Sequence, residues 1–136
     1  MRAISRGLML FSAFCLLAGG IAHSMAYAKA ASIAAQAHLR VPYAAMFEGL
    51  WINASTTSFA MAIVFTFVAA FPSVAARPLV ILLALLPFAS AGAIYATMGN
   101  FLPGHVLLAA GIAALAAGIF HFAGPGKTSA LSAALG

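Results

Sequence analysis

The sequence predicts an all-α membrane protein, with four transmembrane helices in an up-down-up-down bundle and residues 1–136 forming a single integral membrane domain. Three observations carry that expectation. Of the 136 residues, 65% are hydrophobic and only 5% are charged, against roughly 25% charged in a soluble domain. One acidic and six basic residues are too few to cover a water-facing surface, whereas a lipid-facing surface needs no charge. The apolar residues also gather into four runs, each close to the ~20 residues that cross a bilayer.

The first run, 8–28, follows a basic start at Arg2 and Arg6. Its Ala18, Ala22 and Ala26 recur at helical spacing, which lets another helix approach closely in lipid. Cys15 sits among Phe14, Leu16 and Leu17 and reads as a small apolar packing residue; a single cysteine excludes an internal disulfide. Phe14 stands where a lipoprotein signal would need a small residue, so lipidation is not expected. The basic start, the apolar core and Ala26-Tyr27-Ala28 also fit a cleavable signal peptide, which would leave three spans. The apolar stretch continues past such a core, and three spans would set Lys127 beside Lys29 and Arg40. The first run is therefore expected to stay as a span.

The Ala-rich stretch from Lys29 to Arg40, ahead of Pro42, reads as an extension of the first helix or as a short interfacial one. The second run, 50–71, is polar for a lipid-crossing helix, with Asn53, Ser55, Thr56, Thr57 and Ser58. Serine and threonine hydroxyls bond their own helix carbonyls, but an amide needs a partner, so Asn53 is expected to make a structural polar contact with another helix. Its sequon, Asn53-Ala54-Ser55, would be embedded and out of reach of glycosylation. Pro72 and Pro78 bound a segment that must turn, giving a tight hairpin into the third run, 79–98, where Pro87 is expected to kink the helix. Asn100, Pro103 and Gly104 precede the fourth run, 106–122, with a further small-residue row at Gly111, Ala114 and Gly118. Gly124-Pro-Gly-Lys-Thr128 lacks the spacing and the preceding strand of a phosphate loop and reads as a linker.

Four spans put both termini on one side, together with Arg2, Arg6, Arg77 and Lys127, against Lys29 and Arg40 on the other. Positive residues are retained in the cytoplasm, so both termini are expected there, in a bacterial-type cytoplasmic (inner) membrane. Tyr27, Tyr43, Trp51 and Tyr95 then mark the outer face. The six cations are scattered singly and form no patch, which argues against nucleic acid as a partner. The expected partners are the lipid bilayer and either further copies of the chain or a larger membrane complex.

Ionisable groups in or beside lipid are the first candidates for function. His23, Glu48 and His105 fall at the outer level and form a candidate cofactor-binding set, able to ligate or to relay a proton; His121 lies at the opposite end. No His-x-x-x-His pair or cysteine-containing pair supports a metal, so no metal ligand, catalytic residue or particular cofactor is assigned. No internal repeat points to a two-halved transporter, and the first span lacks the carboxylate of small multidrug exporters. A structural or accessory membrane protein is thus expected ahead of a redox, haem- or metal-binding protein and of a small oligomeric transporter, and nothing marks an enzyme. In size, hydropathy and the Glu48-Gly49 pair the chain resembles small four-helix proteins of the DoxX-like class, a resemblance that implies the four-helix membrane fold and no residue roles.

Overall fold

A computed structural model describes residues 3–121, leaving Arg2, Phe122, Lys127 and the Gly124–Thr128 segment outside the described residues. The chain forms α1 (Ala3–Met25), α2 (Tyr27–Gln36), α3 (Val41–Ala70), α4 (Arg77–Met98) and α5 (Leu102–His121), with a single 3-10 turn at Pro72–Val74 between α3 and α4. Of these helices, α1, α3, α4 and α5 are long and apolar enough to cross a membrane. The protein is a multi-pass α-helical membrane protein.

The helix boundaries follow from local chemistry. Pro42 and Pro78 occupy the first turns of α3 and α4, where an amide has no helical partner and a fixed φ costs nothing. Gly99 ends α4 at φ +68°, a left-handed conformation that suits glycine, and its amide donates to the Tyr95 carbonyl at 3.1 Å. Pro87 is buried inside α4, which continues through it. Only Ala26 separates α1 from α2, and it keeps helical dihedrals of −76° and −9°. Its amide donates to the Ala22 carbonyl and its carbonyl accepts from the Ala30 amide, so the Ala-rich stretch follows α1 directly as a separate short helix.

Packing is organised by intervals of seven residues, the repeat of left-handed helix pairs. On α5, Gly104, Gly111 and Gly118 receive Tyr95, Phe88 and Ile81 of α4, which recur at the same interval in the opposite direction. On α1, Ser5, Ser12 and Gly19 face α5: the Ser5 hydroxyl donates to the Ala117 carbonyl, that of Ser12 to the Ala110 carbonyl at 2.8 Å, and Gly19 lies under Val106. Small residues let the backbones close up, and in lipid this packing, rather than hydrophobicity, drives association. Between α1 and α3 larger side chains take over. Met9, Leu16, Met61, Phe65 and Val68 are buried in one core, and Gly20 makes room for Phe59. Arg6 closes this pair by donating from Nε to the Ala69 carbonyl at 3.1 Å, a cation on the carbonyl end of α3.

These seams set α1 between α3 and α5, with α4 against the far side of α5. The two helices joined by the expected hairpin, α3 and α4, make no close backbone approach among the described residues. Helix direction alternates as expected, but the bundle is open on its fourth side. A groove of about 320 Å³ runs there between Thr57, Ala60 and Val64 of α3 and Leu83 and Leu86 of α4. The hairpin is short because prolines force the turn, whereas contact between its arms would need a small-residue seam. Leu83 and Leu86 present none.

Helix lengths differ in a way that places the groups at the Trp51 end. From Ala69, beside Arg6, to Trp51 is about 27 Å of helix, close to the ~30 Å hydrocarbon thickness. The first ten residues of α3, 41–50, project about 15 Å further, with the ten-residue α2 packed beside them. This antiparallel hairpin is largely exposed, up to 82% at Val41.

Candidate functional site

The Trp51–Tyr95 end of the bundle carries most of the polar chemistry, and two aromatic–histidine pairs organise it. Across α1 and α3, the His23 imidazole stacks on the Trp51 indole with centroids 4.1 Å apart and planes 9° from parallel. The indole Nε1–H donates to the His23 carbonyl at 2.9 Å, satisfying a carbonyl in the last turn of α1 that the helix leaves free. Phe47, one turn earlier on α3, packs against the indole with centroids 5.7 Å apart and planes tilted by 45°. Across α4 and α5, the Tyr95 hydroxyl and His105 Nδ1 share a hydrogen bond of 2.5 Å, while the Tyr95 ring lies over Gly104. Each antiparallel pair is therefore pinned at the same end by one imidazole and one aromatic ring.

His23, Glu48 and His105 lie toward one end of the bundle but are engaged separately. Glu48 is exposed within the projecting part of α3, a turn beyond Trp51, where water solvates a carboxylate readily. One face of His23 is taken by Trp51, and one nitrogen of His105 by Tyr95. Among the described residues no group of three His, Cys, Asp or Glu side chains could hold a metal ion.

Asn53 is exposed on α3 and has no hydrogen bond among the described residues. The interhelical contact expected for it is not made within the described chain, because its face of α3 turns away from α1. The neighbouring hydroxyls behave as a lipid-crossing helix requires. Thr56 donates to the Ile52 carbonyl at 2.9 Å and Ser58 to the Ala54 carbonyl at 3.0 Å, so neither competes for the amide.

A second groove, about 770 Å³, separates α1 from α3 on the outside of the bundle, lined by Leu10, Phe14, Leu17, Phe59, Ile63 and Phe67 among others. Its one polar side chain, Thr66, is committed to the Ala62 carbonyl at 2.8 Å. Binding sites for small molecules combine apolar walls with a few convergent polar groups, and this groove offers only the walls.

The sequence marks Trp51 and Tyr95 as interfacial anchors and sets Tyr95 at the level of His23, Glu48 and His105, but the pairs His23–Trp51 and Tyr95–His105 are not legible in it. Sequence reasoning also passed over Ser5 and Ser12, whose signal was their seven-residue step to Gly19. In comparisons with known proteins, no family model, curated protein or solved structure matches this chain.

Proposed function

We propose that this protein is a small structural or accessory component of a bacterial-type cytoplasmic membrane, packing sideways against another membrane chain. The carrying observation is the open side between α3 and α4, flanked on α3 by an Asn53 amide with no partner among the described residues. An amide at the edge of hydrocarbon gains from a bond to a neighbouring helix, worth roughly 1 kcal/mol. A neighbour packed along α3 would meet Asn53, Thr57, Ala60 and Val64 at close to helical spacing. Exposed apolar side chains are available for such contact on both helices that border the open side, among them Ile63, Val64 and Phe67 of α3 and Leu82, Leu85 and Leu86 of α4.

The orientation that accompanies this reading has both termini in the cytoplasm, supported by the excess of Arg and Lys at that end and by Trp51 and Tyr95 at the other. Reporters fused after Arg77 and Lys127 should both report cytoplasm; an external Lys127 beside a retained α1 would reverse it. A cofactor role for His23, Glu48 and His105 has weaker support, because both imidazoles already have aromatic partners.

Cysteine cross-linking in native membranes tests the packing role, with Cys15→Ser as background and Asn53→Cys or Ala60→Cys as the probe. Cross-linked species at these positions, absent when cysteine replaces the buried Ala84, are the expected result. A monomer throughout, purified with no associated chain and with a haem absorption band, would replace the accessory reading by the cofactor one.

A further inference from the structure

The Nε2 atom of His23 is buried and has no hydrogen-bond partner among the described residues. In a neutral imidazole with its proton on Nδ1, that atom is an acceptor without a donor, a smaller penalty than a charged donor without an acceptor. Protonation changes the balance, because an N–H donor then stands at the same point with no acceptor. The indole face attracts a cation, but a charged donor without a partner is the larger effect.

We propose that the His23–Trp51 stack is a proton-sensitive clasp between α1 and α3: protonation expels the imidazole from the indole face toward the headgroup water. The polar and titratable groups of the neighbouring elements give the stacked ring no acceptor. On α1, the Ser24 hydroxyl is committed to the Gly20 carbonyl at 2.9 Å. On α2, Tyr27 and Lys29 follow in the chain, and Lys29, a like charge to an imidazolium, cannot serve as its acceptor. From α5 comes His105, held by Tyr95. From α3 comes Glu48, the chain's one acidic residue, a turn further out, toward which a displaced cation is drawn. None of these bonds the His23 ring in the stacked state. His23 also lies three residues before Ala26, where α1 passes into α2, so the clasp sits at the foot of the projecting hairpin and its release loosens that hairpin.

Trp51 is the only tryptophan, and its emission reads the clasp directly. In the full chain reconstituted in lipid, acidification from about pH 8 to about pH 5 should change emission by roughly twofold along a one-proton curve, with greater quenching by iodide at the acid end. His23→Gln, which cannot titrate, should give a flat response. His38→Gln, His105→Gln and His121→Gln should each keep the transition, which singles out His23 among the four histidines even if His23→Gln fails to fold. Emission and quenching that ignore pH in the unaltered chain would overturn the proposal, as would a transition that survives His23→Gln or vanishes with one of the other three.

Discussion

The Phe88 ring of α4 rests against the backbone of Gly111 in α5, so closely that a β-carbon at position 111 would lie 3.1 Å from two of its atoms. The contact is the middle rung of a ladder that holds α4 to α5 at Gly104, Gly111 and Gly118. Glycine is the residue that lets the two backbones approach to this distance, and in lipid such approach supplies much of the association energy.

Gly111→Ala should therefore destabilise the protein by about 1–2 kcal/mol, as overpacking displaces the ring and outweighs the gain in helix propensity. Gly104→Ala should cost at least as much, since its β-carbon would meet the Tyr95 ring at 2.9 Å. Gly92→Ala is the control: nothing lies within 4 Å of a β-carbon there, and the change should be neutral or stabilising by up to about 1 kcal/mol. Thermal unfolding in a mild detergent ranks the three. A Gly111→Ala protein as stable as Gly92→Ala would remove the ladder from the account.

The two buried serines of α1 make a separate case. Ser5 and Ser12 each donate to an α5 carbonyl, and each carbonyl also belongs to its own helix, so replacement by alanine strands no buried acceptor. Each single change should cost about 0.6 kcal/mol, the usual scale for an interhelical hydrogen bond in a membrane protein. The sites stand about 10 Å apart along α1, and the double variant should show the sum. A loss well above it would mean that the two bonds hold the α1–α5 seam cooperatively.

The sequence makes the spans legible because a bilayer leaves one simple requirement, about twenty apolar residues per crossing. Prolines and Gly99 likewise mark helix ends through their own backbone chemistry. Which helices touch is less legible. Prolines at 72 and 78 announce a turn, yet the partner of α3 is α1, chosen by the fit of Phe59 to Gly20 and of Phe65 to the core, which depends on shape. The same limit applies at the Trp51 end. Membrane level can be counted from Arg6 to His23, but the direction of each side chain is set by helix rotation, and rotation turns Glu48 and Asn53 outward while His23 meets Trp51.

His38 ends α2 at φ +49°, a left-handed conformation that is strained for a residue with a β-carbon. Its amide donates to the Ala35 carbonyl at 3.2 Å, a helix-end position at which glycine is usual. His38→Gly should stabilise the protein by up to about 1 kcal/mol, the relieved strain exceeding the added entropy of the unfolded chain. His38→Ala keeps the strain and should give no gain. Unfolding temperatures in that order, glycine above histidine and alanine, support the reading; a destabilised glycine variant would show that the imidazole itself holds the turn.

Tyr95 has two tasks that substitution can separate. Its ring covers Gly104, and its hydroxyl bonds His105 Nδ1. Tyr95→Phe keeps the ring and removes the bond, so it should cost about 0.5–1.5 kcal/mol. His105 is exposed, where water competes for the same atoms, and the lower half of that range is expected. Tyr95→Ala removes both tasks and leaves a void over Gly104, adding the loss of ring packing. His105→Phe removes the bond from the other side, and the Tyr95→Phe, His105→Phe double variant closes a thermodynamic cycle. If the hydrogen bond is the link between the two residues, the second change should cost much less once the first is present, with a coupling of about 0.5–1 kcal/mol. Strict additivity would mean that Tyr95 holds α4 to α5 through its ring alone, and that His105 is free to serve something else at the membrane surface.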